Sequence, residues 1–113
     1  MSAGLNAVLL STQGNLADAS AVRLPSGTTE TTHYVNWSVG VQSGEVTLET
    51  CDDATLTYNG IWAPIAVLAF SGVAPKQDYI RVGGMYKAIR HRVSVPVTGG
   101  TVSSRLVASK GTH

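Results

Sequence analysis

Hydrophobic and polar residues alternate along much of this chain with a period of two, the repeat of a strand buried on one face. In Tyr34–Val41, the side chains of Val35, Trp37, Val39 and Val41 fall on one side and those of Asn36 and Ser38 on the other. Glu45–Thr50 repeats the pattern, with Val46 and Leu48 inward and Glu45, Thr47 and Glu49 outward. Gln42-Ser43-Gly44 lies between the two runs, so they are expected to form a hairpin. Met85–Val95 places Ile89, His91 and Val93 on one face with Met85, Lys87 and Val95. Tyr86, Ala88, Arg90, Arg92 and Ser94 share the other face. Neither face is cleanly apolar, which predicts a twisted, bulged or interface strand.

Shorter runs extend the pattern. Ala7–Leu10, Ala21–Leu24, Thr55–Tyr58, Tyr79–Val82 and Val102–Ala108 read as strands. Pro25–Thr28, Asn59-Gly60, Gly83-Gly84 and Thr98–Thr101 are turn signals, the last predicting a second hairpin. Ile61–Phe70 reads as a strand interrupted at Pro64 and resumed at Ile65, with a short buried helix as the alternative. Pro64 suits a sheet edge or a bulge, because it cannot donate to a ladder. About eight short antiparallel strands separated by turns predict an all-β, single-domain β-sandwich of jelly-roll-like form. Residues 31–113 are expected to carry the sandwich. Residues 1–30 are expected to supply its first strands, or an arm that orders on assembly.

Composition narrows the class. The chain has 113 residues, of which 43% are hydrophobic and 13% charged. That charge fraction is about half the usual one, while the apolar content excludes disorder by composition. Cys51 is the only cysteine, so no intrachain disulfide is available. The start of the chain is a poor signal peptide, and the longest apolar run is too short to span a bilayer as a helix. No membrane association is expected.

The net charge of +1 conceals a division. Residues 1–75 carry Arg23 against Asp18, Glu30, Glu45, Glu49, Asp52 and Asp53, a net −5. Residues 76–113 carry Lys76, Arg81, Lys87, Arg90, Arg92, Arg105 and Lys110 against Asp78, a net +6. Either strands of the two parts lie side by side and offset each other, or an acidic face of one subunit meets a basic face of another. Arg90 and Arg92 lie on one strand face and are expected to pair with Glu45 or Glu49, on a neighbouring strand or across subunits. Aromatic residues are sparse near the basic ones, so no nucleic-acid partner is expected.

No catalytic constellation is visible. His33, His91 and His113 are far apart in sequence, and a metal would need them gathered with a carboxylate or Cys51. Asp52-Asp53 reads as turn chemistry, and Cys51 lacks a neighbouring base. Gly83-Gly84 and Gly99-Gly100 lack the helix and lysine of a phosphate loop. No enzyme activity, cofactor or metal is expected. Trp37, in phase with Val35, is expected in the core. Trp62 is expected in the core or partly exposed, and Tyr58, Tyr79 and Tyr86 are candidates for surface contact.

The runs Val35–Glu49, Tyr58–Trp62, Gly84–Ser94 and Val97–Val102 together resemble the small β-sandwich proteins that decorate tailed-phage capsids or sit elsewhere on the virion. The likeness covers roughly residues 34–108 and rests on short motifs of β-turn residues. It implies a jelly-roll-like fold, a non-enzymatic role in stabilising a shell, and homo-oligomers bound to a major capsid protein or another virion protein. It also implies a place in the virion, assembled in the host cytoplasm. Arg90, Arg92, Glu45, Glu49, Trp62 and Tyr86 are the expected interface residues. A carbohydrate- or receptor-binding module, or a tail or neck component, is the alternative.

Overall fold

The computed structural model describes residues 5–16, 18–51 and 62–109. They form eight strands and no helix: β1 (Leu5–Gln13), β2 (Ala19–Arg23), β3 (Glu30–Trp37), β4 (Ser43–Cys51), β5 (Ala63–Ala69), β6 (Lys76–Gly83), β7 (Ala88–Thr98) and β8 (Val102–Ser109). Among the described residues no helix is long and apolar enough to cross a membrane. The expected Thr55–Tyr58 strand, the Asn59-Gly60 turn, Tyr58, Asp52-Asp53 and His113 lie outside the described residues.

The strands build two four-stranded antiparallel sheets, ordered β1-β8-β3-β6 and β2-β7-β4-β5. The pairings β1 with β8, β2 with β7, β3 with β6, and β4 with β5 are nested one inside the next. That order is a jelly roll, so the expected all-β sandwich is the observed fold. Residues 5–23 supply β1 to the first sheet and β2 to the second.

Neither expected hairpin forms. β3 and β4 lie in opposite sheets, and so do β7 and β8. Their links cross the sandwich, which lets Val35 and Trp37 on one sheet face Val46 and Leu48 on the other. All four are 1% exposed or less. The two crossings lie against each other at one end. Gln42 N–H donates to the Thr98 carbonyl at 2.8 Å, and Ser38 N–H to the Thr101 carbonyl at 2.9 Å. Gly40 and Gly99 both have positive φ, +93° and +84°. A Cβ on Gly99 would overlap the Gly40 carbonyl oxygen, so this backbone approach requires glycine. Val39 sits in the crossing and is 73% exposed, while Val41 returns to the core at 5%.

The ambiguous Ile61–Phe70 segment yields the edge strand β5, with Pro64 inside it and a register shift between Leu48 and Glu49 of its partner. β7 begins at Ala88 rather than Met85, which is 76% exposed. Ile89, His91 and Val93 point inward, all fully buried.

The core divides into two clusters. Leu10, Val35, Trp37, Val46, Leu48, Val93 and Val102 belong to one. Leu9, Leu24, Ile89, Leu106 and Ala108 form the other. Ile65 and Tyr86 pack against both.

Candidate functional site

Two polar constellations stand out, one on the outer face of the second sheet and one inside the sandwich. The outer one follows from strand register. Glu49 on β4 lies opposite Arg90 on β7, and Thr47 opposite Arg92. Arg90 Nε donates to Glu49 Oε1 at 2.6 Å. Arg92 forks onto the same carboxylate, Nε to Oε1 and Nη2 to Oε2, each at 3.1 Å. Such a fork fixes geometry as well as charge. The side chain of Glu49 is 7% exposed, and those of Arg90 and Arg92 are 25% and 29% exposed. Burial raises the Glu49 carboxyl, but hydrogen bonds from Arg92 and Arg90, with their charge, outweigh it and hold the group below its ordinary value.

The neighbouring residues continue the network. The Arg90 guanidinium stacks over Trp62, 4.6 Å from the ring centroid. Ser94 Oγ donates to Glu45 Oε2 at 2.6 Å, and Thr47 Oγ1 donates to Ser94 Oγ at 2.7 Å. Arg90, Arg92, Glu45, Glu49 and Trp62 are therefore brought together on one sheet face. Both arginines pair with Glu49 within one subunit. Tyr86 stands apart: it is half-buried under Gly84 and lines an open cleft of about 500 Å³ with Leu24, Pro25 and Met85.

The inner constellation was not legible as a site in the sequence. His33 on β3 and His91 on β7 meet between the sheets, Nδ1 to Nε2 at 2.7 Å. His33 Nε2 contacts Thr31 Oγ1 at 2.7 Å, and His91 Nδ1 contacts Ser104 Oγ at 2.7 Å. Ser104 Oγ also accepts the Leu10 N–H at 3.2 Å. Both rings are fully buried. The row lies between the apolar clusters: His91 separates Ile89 from Val93 along β7, and Ser104 separates Leu106 from Val102 along β8.

Burial pushes His33 down to about 4. Burial, then the charge of His33, pushes His91 down to about 3. Both rings are thus neutral near pH 7, and one proton per link satisfies the chain in either direction. The in-phase placement of His91 with Ile89 and Val93 was the available signal for its burial. Among the described residues no group of three or more His, Cys, Asp or Glu could hold a metal ion.

The outer face of the first sheet carries a third feature. Val8, Arg105, Tyr34 and Tyr79 stand in register across all four strands. The tyrosine rings are 6.1 Å apart, and Arg105 lies 5.7 Å from the Tyr34 centroid. Tyr79 is 68% exposed and Val8 66%.

No family model matches the chain, and no curated protein matches it. Solved structures do. A pilus protein of Bacillus endospore appendages aligns at TM-score 0.46 and 8% identity, over 98% of this chain and 92% of that one. The coat protein of Tobacco streak virus aligns at TM-score 0.41 and 11% identity, over 97% and 88%. The SPBc2 prophage-derived protein YomS aligns at TM-score 0.61 and 14% identity, over 97% of this chain and 96% of that one. The chain thus shares, end to end, the sandwich fold of a prophage-derived protein.

Proposed function

We propose that the protein is a non-enzymatic virion structural subunit, a capsid decoration or cement protein that self-associates and binds the major capsid protein. The observation that carries this reading is the end-to-end fold likeness to a prophage-derived protein. The jelly roll itself is an architecture common among capsid proteins. The outer face of the second sheet supports it further. Glu49 neutralises much of the positive charge there, leaving the partly exposed edges of Arg90 and Arg92 to orient a neighbour. The histidines are sealed from solvent and hydrogen-bonded to hydroxyls and each other, an arrangement that serves packing rather than turnover.

Co-sedimentation with capsids of the phage that encodes the protein tests the reading. Binding that weakens in Arg90→Glu, most clearly at low salt, is expected. Failure of the wild-type protein to co-sediment at any ionic strength overturns it.

A carbohydrate- or receptor-binding module is the second reading, favoured by the exposed Tyr34–Tyr79 pair beside Arg105. It requires glycan binding that Tyr79→Ala abolishes. Absence of binding across a glycan panel removes it.

A further inference from the structure

Among the described residues the two sheets have four edge strands, β1, β6, β2 and β5. Edges invite pairing with other chains unless they are short, charged or irregular. Three of these are so protected. β2 has five residues. β6 carries Lys76, Asp78 and Arg81. β1 is broken by register shifts after Val8 and Leu10, and Thr12 has a positive φ of 49°.

β5 differs. Its sequence, Ala-Pro-Ile-Ala-Val-Leu-Ala, holds no charge. Its protections, Pro64 and the shift between Leu48 and Glu49, are confined to its first three residues. Ala66–Ala69 pairs with Glu45–Leu48 in unbroken register. No described strand lies on its other side.

The hydrogen bond from Phe70 N–H to the Gly44 carbonyl sets the alternation along this segment. Ala66 and Leu68 direct their peptide groups to β4, and Val67 and Ala69 direct theirs outward. Val67 is 51% exposed, and Leu68 packs on the core while only half-buried.

We propose that the β5 edge is a docking surface for a second copy of this chain, joined antiparallel about a twofold axis at Leu68. Val67 then opposes Ala69 of the second copy, and Ala69 opposes its Val67, so the outward peptide groups satisfy one another. The axis runs through a residue whose own peptide groups face β4, so Leu68 and its copy form a non-hydrogen-bonded pair flanked by two hydrogen-bonded pairs. Charge favours this edge for self-pairing. The paired β5 segments bring no charges into opposition, and the uncharged edge leaves no ion to be desolvated at the seam. The result is one continuous eight-stranded sheet with an isologous interface. Leu68 of each copy gains cover from the other.

This inference deepens the assembly reading and rests on it, but the two fail separately. Light-scattering mass of the full chain, measured over a concentration series, is the test. The wild-type protein is expected to be dimeric. Val67→Pro removes an outward N–H, and Val67→Lys charges the edge. Both are expected to weaken the dimer about tenfold or more while retaining a β-type circular dichroism spectrum. Val67→Thr is expected to remain dimeric. A wild-type monomer at every concentration overturns the proposal, and so does a folded Val67→Lys that self-associates like wild type. Capsid co-sedimentation is read independently, so a wild-type chain that stays monomeric yet binds capsids refutes this edge and not the virion role.

Discussion

His33 Nδ1 and His91 Nε2 approach to 2.7 Å between the two sheets, in a plane that separates the apolar clusters on either side. Each ring is fully buried, and their other ring nitrogens meet hydroxyls rather than carboxylates. Protonating both rings would set two N–H groups against each other at that distance.

Acid sensitivity follows from this pair. Folding lowers the His33 and His91 values from 6.5 to about 4 and about 3. Well above pH 6.5 both rings are neutral, folded or unfolded, and contribute no pH dependence. Below it the unfolded chain binds more protons, so stability falls. The slope is about 1.4 kcal/mol per pH unit per histidine, until the folded-state values are reached. Glu49, whose value is lowered, acts in the same direction: its contribution is present above its ordinary value of 4.5 and lost as pH falls further. Urea denaturation between pH 8 and pH 4 is expected to show a plateau above 6.5 and a steep decline below. A flat profile across that range would refute the assignment.

The histidines also act as a unit. His91→Leu alone strips partners from His33 and Ser104 and is expected to cost about 1–3 kcal/mol. Adding His33→Leu should cost less than the sum of the single changes, because fewer unsatisfied groups remain. The double variant should also lose the pH slope between 6.5 and 4.5, leaving the Glu49 contribution below that. Strictly additive costs in a denaturation cycle would show the rings to be independent.

Glu49 holds two arginines that would otherwise repel each other two residues apart on one strand face. Glu49→Gln keeps the shape and removes the charge. It is expected to cost about 2 kcal/mol, less than a fully buried pair because both arginines remain partly solvated. Calorimetry should register a fall of roughly 10 °C for a domain of this size. Arg92→Lys, which cannot form the fork, should fall between wild type and Glu49→Gln.

The sandwich depends on glycine at one position and not at another. Gly99→Ala puts a Cβ onto the Gly40 carbonyl at a positive φ, and is expected to cost about 2 kcal/mol or more. Gly83→Ala has nothing within 4 Å of its new Cβ. It should stay within about 0.5 kcal/mol of wild type. Equal melting temperatures for the two variants would contradict the close approach of the crossings.

Much of the fold was readable because period two names strands and their inward residues: Val35, Trp37, Val46, Leu48 and Val93 are all buried as that period requires. It does not name a strand's neighbour. β3 and β4 alternate as a hairpin would, yet their inner faces oppose each other across the core. Val39 fits the alternation and is exposed, because the chain has already left the sheet. Glu49 reads as an outward residue and does point outward, but Arg90 and Arg92, far away in sequence, cover it. His33 and His91 are 58 residues apart, and only the nested pairing of strands brings them together.

That nesting has a consequence for biosynthesis. β8 lies between β1 and β3, so the first sheet is split until β8 is made. On the ribosome β4 and β5 can pair early, while β1 must wait for nearly the whole chain before its partner emerges. The sandwich is therefore completed only after β8 is translated, and a nascent chain stalled before Val102 holds β1 without its sheet partner among the described strands.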